Sequence, residues 1–300
     1  MTDLKNNPYE TIKDRWIEDA LTTQISKVPE FVYHYTDASG LYGMLNNKKL
    51  WLTDYRFLND TTEFSHIYNL LGDVRTEILS QAHLSDVKRR LLAAISYEKI
   101  EGLDSFVFSC SQEKDDLSQW RGYAKEGQGF TIGFDASRLH ALSLPNDAEF
   151  AFAKVDYEGG DQKLALKRSI DELSAQIDKD LTKGSDIDEL IGKAVEAFDD
   201  ICLNRGALSK HKSFRAEQEW RLISYVNNLG GRIKIRVNGS KLIPYLETDI
   251  CDDEEYLPIR SIGIGPAFVG SEVVDAVQTL LKISGHNAEI YFADTPYRRS

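Results

Sequence analysis

The chain has 300 residues, 42% hydrophobic and 10% aromatic, which is enough apolar material for a sizeable core and too much for global disorder. With 36 Lys and Arg against 48 Asp and Glu the net charge is −12, the wrong sign for a protein that binds nucleic acid through general backbone electrostatics. No apolar run approaches the ~18–20 residues that span a bilayer, and the polar N-terminus lacks a signal core, so a cytoplasmic protein without membrane contact is expected.

Residues 9–24 have helical spacing, with Ile12, Trp16, Ile17 and Leu21 on one face. FVYHYT (31–36) is aromatic and β-branched and predicts a strand. Asp37 is placed to cap a helix through Leu45, and KKLWLT (48–53) predicts a second strand. YRFLNDTTEF then leads into helices at about 64–81 and 85–99, the first capped by Asp60 or Thr61 with Glu63 in its opening turn. A strand is expected at 104–111, a short helix at 115–124, and strands at 129–135 and 150–157. Two polar helices fill 160–207, split at Gly184-Ser185, with Leu164, Ile170, Leu173, Ile177, Leu181, Ile187, Leu190, Ile191, Val195 and Phe198 as their apolar positions. A strand from Glu219, three more at 231–237, 241–248 and 257–265, a helix at 271–284 and a strand at 288–294 complete the chain.

The strands bracket a helical stretch instead of alternating with helices. That argues for an α+β fold with a mixed, mainly antiparallel sheet, and against a doubly wound nucleotide fold. A single catalytic domain over 1–300 is expected, with 160–207 as a helical insertion or lid. The three cysteines (Cys110, Cys202, Cys251) and six histidines show neither CxxC nor HExxH spacing, so no metal is expected. The glycines fit neither GxGxxG nor GxxxxGK[ST].

Four blocks carry the chemistry-bearing residues. In Tyr33-His34-Tyr35-Thr36, strand alternation pairs His34 with Thr36 and Tyr33 with Tyr35. Ser109-Cys110-Ser111 places two hydroxyls on one face at the end of an apolar strand, without the GxSxG elbow of a serine hydrolase. Gln119-Trp120-Arg121-Gly122-Tyr123 gives one aromatic helix face, with Trp120 suited to the core and Tyr123 to a ligand. In Glu217-Gln218-Glu219-Trp220-Arg221, an extended chain would put both glutamates and Arg221 on one face, an economical acid–base cluster. Each block alone also suits a plainer role: a satisfied strand histidine, strand-to-turn punctuation, core packing, or a solvated edge with a weak ion pair.

Taken in order, His on a first strand, Ser-x-Ser on a later one and Glu-x-Glu on a third resemble the ADP-ribosyltransferase superfamily. Separately, YHYT, FLNDTTEF, FSCS, QWRGYA, GFTIGFD, KHKSFRAEQEWRLI and the terminal TPYR resemble a widespread bacterial domain of unknown function over roughly residues 31–298. The chain departs from the superfamily in having Tyr35 after the histidine, where Gly is frequent, and Cys110 within the serine motif.

The resemblance implies a sheet core of ADP-ribosyltransferase type, NAD as substrate without a metal, and a protein, RNA or DNA acceptor. Glu219 would stabilise the oxocarbenium-like transition state and hold the nicotinamide ribose, and Glu217 would position or deprotonate the acceptor. His34 would contact the adenosine ribose and Tyr35 backbone groups the nicotinamide amide. Ser109 and Ser111 would support Glu219, Trp120 or Tyr123 would stack on nicotinamide, and Arg221 would set the charge of the pair. His34, Ser111 and Glu219 are expected to line one cleft, and Glu219→Gln to leave the fold within about a kcal/mol. Toxin and phage-defence roles, the former with an antitoxin partner, are common in such transferases. The alternatives are a catalytically silent nucleotide- or partner-binding module, or a hydrolase or nuclease using Glu217, Glu219 and His34.

Overall fold

In a computed structural model that describes residues 7–22, 28–58, 65–96, 105–141, 150–224, 232–248 and 256–297, the apolar patterns become helices and strands close to their expected bounds. The helices are α1 (Pro8–Thr22), α2 (Ala38–Asn47), α3 (Ser65–Leu79), α4 (Asp86–Ala94), α5 (Leu117–Tyr123), α6 (Ala136–Ala141), α7 (Gly160–Leu181), α8 (Ile187–Ala207) and α9 (Glu272–Ser284). The strands are β1 (Phe31–Thr36), β2 (Leu50–Asp54), β3 (Phe106–Ser111), β4 (Phe130–Asp135), β5 (Phe150–Lys154), β6 (Glu219–Ser224), β7 (Ile233–Asn238), β8 (Lys241–Thr248), β9 (Ile259–Ile264) and β10 (Glu289–Phe292). The α+β class with a mainly antiparallel sheet is the one the pattern predicts. Asp60, Thr61 and Glu63, the expected cap of α3, lie outside the described residues. Helix α6 and a 3₁₀ turn at Lys212–Glu217 were not anticipated; both are too short for a 3.6-residue period to show.

The chain divides into two compact units. The first holds α1, α3, α4, α7 and α8, so the helices at 160–207 belong to a five-helix unit and do not stand alone. Helix α8 starts where the Asp186 carboxylate accepts the amide N–H groups of Asp188 and Glu189. Leu166, Ile170, Leu173 and Ile177 of α7 pack with Ile67, Leu71, Val74 and Ile78 of α3 and with Leu190, Ala194 and Phe198 of α8. Each fully buried aliphatic side chain contributes roughly 1.5–3 kcal/mol. Leu164, expected on the buried face, is 46% exposed. It lies two residues from Leu166, about 200° round the helix, so both cannot face the core.

The second unit holds the ten strands with α2, α5, α6 and α9. Strand order is β10-β9-β4-β1-β3-β2-β8-β7, with β6 also on β3 and β5 on β6. Only β9 and β10 are parallel among the described pairs. Val32, Leu52, Phe108, Phe134, Trp220 and Leu222 face one core cluster. The sheet forks at β3. Along β6 the pairing is continuous from Phe106 opposite Ser224 to Ser111 opposite Glu219. On its other edge β3 meets β2 only at Phe106 and Val107, and β1 only at Ser111. No described helix is long and apolar enough to cross a membrane.

Candidate functional site

All the candidate residues lie in the sheet unit, on β1, β3, α5 and the approach to β6. Strand β3 alternates Phe106, Phe108 and Cys110 toward the core with Val107, Ser109 and Ser111 away from it. Ser111 stands opposite Glu219 on one side and Tyr33 on the other; Ser109 stands opposite Arg221. Cross-strand partners share a face, so Tyr33, Ser109, Ser111, Glu219 and Arg221 form one polar patch.

His34 is not part of that row. It follows Tyr33 and so turns to the other side, where its ring stacks on Phe108 at 4.3 Å. The expectation of one cleft lined by His34, Ser111 and Glu219 is corrected here: strand parity separates the histidine from the other two. His34 still reaches the fork. Its Nδ1 lies 2.8 Å from the Ser109 carbonyl, in the stretch of β3 between the residues paired to β2 and to β1. A carbonyl only accepts, so Nδ1 carries the proton. Burial pushes the His34 pKa down to about 4; the Ser109 bond opposes this and the charge of Arg236 adds to it. The ring is therefore neutral near pH 7, with Nε2 as a hydrogen-bond acceptor.

Glu217 and Glu219 do not share a strand face. Glu217 ends the 3₁₀ turn, and Gln218 takes φ +44°, the left-handed region. That conformation costs a non-glycine residue roughly 1–2 kcal/mol. It is held by the Gln218 N–H donating to the Arg215 carbonyl and by the Gln218 carbonyl accepting from the Gln112 N–H at 3.0 Å. Strand alternation starts only at Glu219, so the i,i+2 argument fails at its first residue.

The kink sets two carboxylates in different surroundings. Glu217 is half-buried and accepts the Tyr123 hydroxyl at 3.1 Å, while its own carbonyl accepts the Ser111 hydroxyl at 2.7 Å. Glu219 is 5% exposed and meets Arg221, which is fully buried, in a two-point ion pair. Arg221 Nε donates to Oε1 at 2.8 Å and Nη2 to Oε2 at 3.0 Å.

Helix α5 begins at Asp116, which caps it through the Gln119 N–H at 3.0 Å. Trp120 is fully buried, packs edge-on against Tyr35 at 4.9 Å and donates Nε1–H to Asp115. Its ring belongs to the packing and presents no open face to a nicotinamide. The Tyr35 hydroxyl donates to the Glu113 carbonyl at 3.0 Å and accepts the Asp116 N–H at 2.9 Å, so it shapes the loop that presents α5. Burial raises the Cys110 thiol well above its ordinary range and makes it a poor nucleophile. Among the described residues no group of three or more His, Cys, Asp or Glu is arranged to hold a metal ion.

Two residues at the site were not read from the sequence. Strand alternation pairs Tyr33 with Tyr35, and its place opposite Ser111 needs the pairing register. Asp115, which accepts from Trp120 Nε1 and from the Thr295 hydroxyl and backbone N–H, has no signal beyond opening the expected helix at 115–124.

Residues 119–222 match a family model described as a protein of unknown function, DUF2971. The match covers about a third of the chain and includes Trp120, Tyr123, Glu217, Glu219 and Arg221, but not His34, Tyr35, Ser109 or Ser111. No curated protein and no solved structure matches the chain. What the comparisons establish is likeness, over that span, to a family without an assigned function.

Proposed function

We propose that the chain transfers ADP-ribose from NAD to a macromolecular acceptor. The observation that carries this reading is the adjacency of the three motif strands: β3 lies between β1 and β6, with Ser111 opposite Glu219 and bonded to Glu217. In the reaction the bond between nicotinamide nitrogen and ribose C1′ breaks and nicotinamide leaves with the electron pair. An acceptor atom bonds to C1′, and its proton passes to Glu217. Glu219 stabilises the positive charge that develops on the ribose. Tyr123 fixes the Glu217 carboxylate. Neutral His34 accepts a ribose hydroxyl at Nε2, which requires the dinucleotide to run through the fork between β1 and β2.

A second reading is favoured by a specific observation. Glu219 closed by Arg221, and His34 turned toward Phe108, suit a module that binds a nucleotide or a partner without turnover. Incubation with NAD separates the two. Release of nicotinamide that falls in a Glu219→Gln shown to be folded, with transfer to the acceptor lost in Glu217→Gln, supports the transferase; binding of NAD without release supports the module.

A further inference from the structure

Arg236 is a half-buried guanidinium with no carboxylate partner among the described residues. Register on β7 and β8 puts it on the same face as Tyr245, which stands opposite Thr53 of β2. Its Nη2 donates to the Thr53 hydroxyl at 2.7 Å. Its guanidinium carbon lies 5.7 Å from the Trp51 ring centroid and 5.8 Å from that of Tyr245. The described acids in its surroundings are committed elsewhere. Glu247 pairs with Lys234, and Asp37, whose charge reaches Arg236, caps α2 through the Gly40 N–H and accepts the Ser39 hydroxyl. Trp51 Nε1–H is buried and has no acceptor.

A guanidinium taken partly out of water ordinarily meets a counter-charge. Here it is instead immobilised by two rings and a neutral hydroxyl, with most of its N–H groups uncommitted. Thr53 keeps its own proton to donate. The result is a preorganised set of donors facing no anionic acceptor among the described residues, which is the chemistry of an anion site. Thr53 stands opposite Val107, two residues along β3 from Ser109, so the donors lie on the sheet face of Ser109, Arg221 and Glu219. His34 carries no charge that would compete for the anion.

We infer that Arg236, with Thr53 and the Trp51–Tyr245 cradle, binds a phosphate group. For the identity of that phosphate the inference rests on the NAD reading, under which Arg236 holds the pyrophosphate; the anion site itself does not depend on turnover. Calorimetric titration of the full chain with inorganic pyrophosphate, ADP and adenosine tests it. Pyrophosphate and ADP are expected to bind, with adenosine at least about tenfold weaker than ADP. Arg236→Gln is expected to weaken the two phosphate ligands by about ten- to a hundredfold while adenosine is unaffected, and Arg236→Lys to recover part of the loss. Pyrophosphate that fails to bind the wild type, or binds equally well to a folded Arg236→Gln with an unchanged melting temperature, overturns the inference. Pyrophosphate binding lost in Arg236→Gln, with no nicotinamide released by the wild type, keeps the anion site and removes the transferase. Nicotinamide release with an unchanged KM for NAD in Arg236→Gln does the reverse.

Discussion

Glu219→Gln is the substitution on which a turnover argument would rest, and the structure makes it a stability experiment first. The side chain is 5% exposed and its partner Arg221 is fully buried, joined to it through both carboxylate oxygens. Removing one member of a buried pair costs about 3–5 kcal/mol. Gln keeps one acceptor oxygen, so a loss near the lower end, ~3 kcal/mol, is expected. Against a total stability of roughly 5–15 kcal/mol that is a large share. The sequence-based expectation of a tolerated, cleft-facing glutamate is therefore replaced. Three of the four tryptophans, Trp51, Trp120 and Trp220, lie in the sheet unit, so urea denaturation followed by tryptophan fluorescence reports mainly on it. The double replacement Glu219→Leu with Arg221→Met removes both charges at similar volume and is expected to recover to within about 1 kcal/mol of the wild type. A Glu219→Gln loss below about 1 kcal/mol, or a double variant no better than the sum of its singles, would refute the buried-pair reasoning.

Other consequences follow from the same geometry. His34 has a folded pKa near 4 against 6.5 unfolded, so the unfolded chain binds the extra proton between those values. The stability tied to His34 is whole above pH 6.5 and declines as pH falls toward 4, by up to about 3 kcal/mol; denaturation midpoints of wild type and His34→Gln should converge over that window, and parallel curves would contradict the assignment. Tyr123→Phe removes the hydroxyl from Glu217 and is expected to cost about 1 kcal/mol of stability. It should slow transfer to the acceptor more than nicotinamide release; equal slowing of both would argue that Tyr123 does not act through Glu217. Trp120→Ala empties a fully buried site and is expected to cost about 3–5 kcal/mol, measured by thermal unfolding. A mild effect would mean that the ring faces solvent or ligand after all.

Local chemistry made much of the fold legible. FVYHYT, DSFVFSCS and GFTIGFD could hardly be anything but strands, and Asp37 marks its helix by capping. What failed was parity. A single residue, Gln218 at φ +44°, breaks the alternation that seemed to align Glu217 with Glu219. No composition rule marks a glutamine for the left-handed region; backbone bonds to Arg215 and Gln112 hold it there. Strand-end positions flanked by turn residues put His34 with Ser111 and Glu219, whereas the Tyr33–Ser111 register assigns it to the opposite side. Arg236 falls in an expected strand, but its lack of a carboxylate partner among the described residues depends on β2 and β8 lying beside it, a non-local fact.

In the proposed reaction the Glu217–Glu219 segment cleaves NAD, and a single incubation checks this. NAD labelled in the adenylate moiety is mixed with the wild-type chain and with Glu217→Gln under conditions where both are folded. Protein, RNA and DNA acceptors are supplied separately, and nicotinamide release and label transfer are followed together. The wild type is expected to release nicotinamide with label in one acceptor fraction, and Glu217→Gln to lose that transfer with residual NAD hydrolysis. Intact NAD after incubation with folded wild-type protein and every acceptor would contradict it.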